Sequence, residues 1–109
     1  MNIHQTSVHT FDNDAVVLDV REPAEWNAGH APNAMHIPLG LLPSSMDALP
    51  STEGGALPVI CRSGVRSAKA VAYLAARGVD AVNVAGGMQA WEEAGKAMAS
   101  ENGQHPVVI

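Results

Sequence analysis

Leu57-Pro58-Val59-Ile60-Cys61-Arg62-Ser63-Gly64-Val65-Arg66-Ser67-Ala68-Lys69 is the stretch on which the reading of this chain turns. Leu57 to Ile60 is a short apolar run, the pattern of a buried strand, and the only cysteine of the 109 residues follows it. A loop containing Gly64 comes next, and from Val65 the Ala-rich sequence reads as a helix. A strand, a tight turn and a helix N-terminus aim several backbone N–H groups at one point. A thiol placed there, with Arg62 and Arg66 nearby, is expected to ionise readily. Helix N-termini and neighbouring guanidinium groups bring cysteine pKa values down to ~3.5–7.5. A lone cysteine is more often an inert core residue. The position of Cys61, at a strand exit and the mouth of an anion-shaped turn, argues instead for a nucleophile.

The rest of the composition bounds what that nucleophile serves. The length suits one domain over residues 1–109, with a core from about 14 to 96 and a C-terminal tail from 97 to 109. A net charge of −5 and the lack of a basic stripe argue against nucleic acid. Of six Lys and Arg residues, Arg62, Arg66 and Lys69 stand within nine positions of Cys61. That concentration of positive charge suggests a small anionic ligand. A single cysteine allows no internal disulfide and supplies no resolving thiol, so anything Cys61 carries must pass to another molecule. Met1 to Thr10 lacks the basic and apolar regions of a signal peptide. No apolar run approaches the ~18 residues of a membrane span. A cytoplasmic location, away from membranes, is therefore the expectation.

Along the chain, Ala15-Val-Val-Leu-Asp19-Val20 reads as a strand apolar enough to be covered on both faces. It exits at Asp19 and Arg21. Pro23 marks a helix start and Gly29 its end. Arg21 is expected to pair with a carboxylate and brace the loops. Gly29 to Pro38 is a turn into a short strand. His30 and His36 have no ligand-spaced partners, so no metal is expected, and His30 is read as a loop brace. Leu39 to Leu49 reads as helical, broken by Pro43, before a loop from Pro50 to Gly55. After the cysteine loop, Ala68, Val71, Ala72 and Ala75 suggest the buried face of a helix stopped by Gly78. Asp80 to Ala85 is the next strand, and Gly86-Gly87 opens a helix whose Met88 and Trp91 belong to the core. Asn2 to Val8 and Pro106 to Ile109 are candidate edge strands. Strands alternating with helices imply an α/β fold: an open, mostly parallel sheet of about five strands with helices on both faces. In such sheets ligands bind beyond the carboxyl ends of the strands, where Cys61, Asp19 to Arg21 and Ala85 to Gly87 meet.

These residues carry a family resemblance. Asp19-Val20-Arg21-Glu22, Glu25-Trp26-x-x-Gly29-His30-x-Pro32-x-Ala34-x-x-Ile37-Pro38, Val59-Ile60-Cys61-Arg62-Ser63-Gly64-Val65-Arg66-Ser67 and Gly86-Gly87-Met88-x-Ala90-Trp91 occur in this order. Together they resemble a single-domain rhodanese, a sulfurtransferase module, over residues 16 to 91. Asn33 stands where the family usually has Gly, a change that a left-handed turn tolerates.

The resemblance implies a mechanism without cofactors. Cys61 attacks the outer sulfur of a donor such as thiosulfate or a protein persulfide, becomes a persulfide, and passes that sulfur to cyanide, a small thiol or a protein thiol. The loop of Arg62, Ser63, Gly64, Val65 and Arg66 would cradle the sulfur, with the two arginines drawing in a sulfonate and Ser63 adding a hydroxyl. Asp19, Arg21 and His30 would support the loops. Related cysteine-dependent phosphatases use a similar loop, but one residue longer between Cys and Arg, and often with His before the Cys, where Ile60 stands here. Arsenate reduction is a third possibility. So, from another class, is a non-catalytic module that regulates or delivers sulfur, although this chain keeps the cysteine and both arginines.

Overall fold

A computed structural model describes residues 4–52 and 55–109. Five strands form one sheet: β1 (Gln5–Ser7), β2 (Leu18–Asp19), β3 (Met35–His36), β4 (Leu57–Ile60) and β5 (Ala81–Ala85). Their order is β1-β5-β4-β2-β3, and every pairing is parallel. The helices are α1 (Pro23–Ala28), α2 (Val65–Ala75) and α3 (Gly87–Glu93).

The apolar runs become strands because helices cover both sides of the sheet, and side chains alternate between the faces. Leu18, Val59 and Ala81 pack with Ala70, Val71 and Leu74 of α2 and with Leu42. Val17, Ile60 and Val84 point the other way, onto Met88 and Trp91 of α3 and onto Val8. Met88 and Trp91 are fully buried, as their spacing suggested. From β2 the chain steps outward to β3, whereas from β4 it steps the opposite way to β5. The carboxyl ends of β2 and β4 therefore flank the switch point of the sheet, where α/β folds open a crevice.

Several sequence expectations shift. The strand read from Ala15 to Val20 is regular only at Leu18–Asp19, although Met35 donates to the Val17 carbonyl at 2.9 Å and Val20 to that of Ile60 at 3.0 Å. The stretch from Leu39 to Leu49 forms 3-10 segments, Leu39–Ser44 and Met46–Ala48, in place of an α-helix. Pro43 has no N–H to give and Gly40 offers little helical preference, so no ladder propagates. The buried face of α2 is Ser67, Ala70, Val71 and Leu74, not Ala68, Val71, Ala72 and Ala75. Alanine is small enough for either environment, so the one leucine, not the alanines, sets the face. Of the N-terminal candidate strand, Asn2 and Ile3 lie outside the described residues, and Gln5–Ser7 pairs as an edge strand beside β5. Glu53 and Gly54 of the predicted loop also lie outside the described residues.

Pro106 to Ile109 does not form a strand. Pro106 lacks an N–H, and the N–H groups of Val107 and Val108 are taken by the Ala28 carbonyl and the Glu92 carboxylate. The tail instead crosses α1: Glu101 donates to the Asn27 carbonyl at 2.9 Å and Val107 to that of Ala28 at 3.0 Å. Gly29 permits this, since a Cβ there would lie 2.5 Å from the Val107 oxygen.

Candidate active site

Cys61 follows the last residue of the central strand β4 and is only 1% exposed. Gly64, with φ of 112°, closes the turn in a left-handed conformation and serves as the N-cap of α2. This geometry folds the loop back over the thiol, so that the Gly64 N–H donates to Sγ at 3.1 Å. From the first turns of α2 the Ser67 hydroxyl approaches Sγ to 3.2 Å. Burial pushes the Cys61 pKa up, but the Ser67 hydroxyl and the N–H groups of Ser67, Gly64 and Ser63 outweigh it, and the thiol lies below its ordinary value. The loop and helix are thus the source of the acidity. Arginine, to which the sequence reading also assigned the effect, is not among the leading causes.

Both arginines have other partners. Arg62 is engaged by other groups: its Nε donates to the Ile109 backbone oxygen at 2.9 Å, and the Gln89 amide oxygen, turned toward the guanidinium, accepts from Nη1 at 3.0 Å. Arg66 forms a two-pronged pair with Glu25 of α1, Nη1 to Oε1 at 2.6 Å and Nη2 to Oε2 at 2.8 Å. The hydrogen bond from Arg66 is the main reason that the Glu25 carboxyl, despite some burial, is pushed down to about 2 from an ordinary 4.5. Further lowering comes from the Glu22 N–H and from the charges of Arg66 and Arg21. The Arg66 pKa is raised in turn, first by its hydrogen bond to Glu25.

Three residues with no role assigned from the sequence complete the loop. Ser67 lies within 2.5 Å of the Asn83 Oδ1, and the Asn83 Nδ2 donates to the Gly64 carbonyl at 3.2 Å. Asn83 is a buried amide in the middle of an apolar strand. A polar residue facing inward from such a strand was the available signal, since buried polar groups require partners. Glu25 is the third. Its only trace in sequence was its place in the motif from Glu25 to Pro38.

The carboxyl end of β5 supplies a wall. Gly87, with φ of 56°, lets α3 begin directly on the loop backbone, and a Cβ there would lie 2.7 Å from the Arg62 carbonyl. Met88 then donates to the Cys61 carbonyl at 2.8 Å and Gln89 to that of Arg62 at 3.0 Å. At the exit of β2, Asp19 and Arg21 are fully buried and paired at 2.8 Å, and Arg21 also donates to the Gly29 carbonyl at 2.7 Å. His30 stacks on Trp26 with 3.6 Å between ring centroids and contacts the Glu101 carboxylate at 2.7 Å. Val65 stands 65% exposed at the tip of the loop, and Ser63 is exposed beside it. Among the described residues no group of three or more His, Cys, Asp or Glu is placed to hold a metal ion. Nor is any helix among them long and apolar enough to cross a membrane.

A parallel α/β sheet with a loop-bound thiol at its switch point defines the class, and the comparisons fix the family. The rhodanese-like domain family matches residues 5–94. Over 81 residues the chain is 42% identical to YtwF of Bacillus subtilis, covering 74% of this chain and 77% of that one. Over 91 residues it is 36% identical to a sulfurtransferase of Allochromatium vinosum, covering 83% of each. Among solved structures, a rhodanese-related protein from Thermoplasma volcanium superposes with a TM-score of 0.75 at 32% identity, over 88% of this chain and 97% of that one. The chain belongs to the rhodanese-like domain family, and its relatives support sulfur transfer as its general activity.

Proposed function

We propose that the protein transfers sulfane sulfur from thiosulfate or a protein persulfide to cyanide or a thiol through a persulfide on Cys61. The observation that carries this reading is the placement of Sγ against two neutral donors, the Gly64 N–H at 3.1 Å and the Ser67 hydroxyl at 3.2 Å. Such a cradle stabilises a thiolate before reaction and an anionic sulfur after it. The Ser67 hydroxyl and the loop N–H groups lower the Cys61 pKa against the effect of burial, which favours the thiolate as the attacking form.

With thiosulfate, the thiolate attacks the outer sulfur, a new S–S bond forms at Cys61, the S–S bond of the donor breaks, and sulfite leaves with the bonding pair. The acceptor then attacks the outer sulfur of the persulfide and restores the thiolate. Donors preorganised toward developing charge in comparable sites are worth ~3–4 kcal/mol each. Arg62, Ser63, Gly64, Val65 and Arg66 form the substrate loop in this reading, while Asp19, Arg21 and His30 hold the surrounding loops in place.

The Cys61→Ser variant tests the mechanism, because a hydroxyl fills the same space without nucleophilic sulfur. It is expected to keep the native circular dichroism spectrum and to lose thiosulfate-to-cyanide turnover. Residual turnover, or hydrolysis of an aryl phosphate by the unmodified protein at a comparable rate, would overturn the assignment.

A further inference from the structure

The sequence places positive charge around Cys61, but in the structure the arginine that closes the loop, Arg66, is already paired with a carboxylate. Arg66 meets Glu25 with both terminal nitrogens, and the carboxylate stays ionised down to a pH of about 2. At any ordinary pH the pair presents two opposed charges, not a free cation. Arg62 points toward Ile109 and Gln89. The remaining basic residue, Lys69, is exposed on α2. The donors that reach Sγ are neutral, an N–H and an O–H. They suit one sulfur atom bearing one charge. A thiosulfate dianion must in addition leave its sulfonate outside the cradle, on a protein whose own net charge is −5.

We propose that Glu25, by neutralising Arg66, sets donor selectivity against thiosulfate and in favour of persulfides that carry little charge beyond the transferred sulfur. The proposal rests on the sulfur-transfer reading above and narrows its donor. The Cys61 thiolate attacks the outer sulfur of R–S–SH, the Cys61 S–S bond forms as the donor S–S bond breaks, and R–S⁻ leaves. The departing thiolate takes the proton of the transferred sulfur, giving R–SH and an anionic Cys61 persulfide.

Glu25 has a second task that dictates the choice of variant. Its Oε1 also accepts from the Glu22 N–H at 3.0 Å, as part of the capping box that starts α1. Glu25→Gln keeps an oxygen for that cap and removes the charge. Single-turnover sulfur uptake by Cys61, followed by intact mass, is measured with thiosulfate and with 2-hydroxyethyl persulfide. The unmodified protein is expected to react faster with the persulfide. E25Q is expected to raise the ratio of thiosulfate to persulfide rate constants about threefold to fivefold, the size of one partly exposed charge interaction. The gain should appear in the concentration dependence on thiosulfate. Arg66→Gln leaves Glu25 uncompensated and is expected to lower the same ratio.

A ratio of thiosulfate to persulfide rate constants that is unchanged or reduced in E25Q would mean that Glu25 merely orients Arg66, and would overturn the proposal. Because each variant is read as a ratio of two donors, a general loss of folded protein cancels. If the unmodified protein takes sulfur from neither donor, the sulfur-transfer reading itself falls. If it takes sulfur from both and the ratio does not move, only the role of Glu25 falls.

Discussion

Ser67 has one hydroxyl proton and two acceptors within reach, the Cys61 sulfur at 3.2 Å and the Asn83 Oδ1 at 2.5 Å. While Cys61 is a thiol, the proton is free to rest on Asn83. Once the thiolate forms, donation to sulfur becomes a charge-assisted bond, roughly twice as strong as a neutral one. The hydroxyl thus answers the charge on Cys61 without moving a backbone atom. Ser67→Ala is expected to shift the pH midpoint of Cys61 alkylation toward alkaline values and to slow alkylation at neutral pH severalfold. An unchanged pH profile would remove Ser67 from this role. Cys61 was legible in sequence because a strand end, a glycine and a helix start surround it. Ser67 and Asn83 were not, since one sits six positions away along α2 and the other on a neighbouring strand. Only the parallel pairing of β4 with β5, which sets Val59 opposite Asn83, brings them together.

At the scale of elements, the loop is held from two sides. α2 grips it through Gly64, and α3 sits on its carbonyls through Met88 and Gln89. Gly87 makes the second contact possible. Gly87→Ala would place a methyl group against the Arg62 carbonyl and force a left-handed alanine. The left-handed conformation alone costs about 1–3 kcal/mol. A lower urea midpoint and impaired sulfur uptake are therefore expected, whereas a variant with unaltered stability would contradict the packing described. The helix boundaries were readable because Pro23, Gly29, Gly64 and Gly86 are local signals that act within a turn. The buried face of α2 was misread by one position, because alanines carry little information about burial.

At the scale of the molecule, distant segments converge on the site. The tail returns across α1 and brings the Ile109 backbone oxygen to Arg62, and Glu101 reaches His30. No periodicity in sequence announces such a strap, because its contacts run through backbone groups and single side chains. The Glu25–Arg66 pair likewise joins α1 to α2. It carries a pH signature with a defined sign. The Glu25 pKa is lower in the folded protein, so its stabilisation is fully present above 4.5 and is lost as pH falls toward about 2. The stability of the unmodified protein is expected to fall across that window more steeply than that of E25Q. Parallel acid-unfolding curves for the two proteins would deny the pair a stabilising role.

The central claim is that Cys61 carries the sulfur, and intact mass after incubation with a sulfur donor tests it most directly. The account predicts a gain of one sulfur atom, about 32 Da, that disappears on adding cyanide or a thiol and never forms in C61S. No mass gain from either thiosulfate or a persulfide, or an equal gain in C61S, would contradict it.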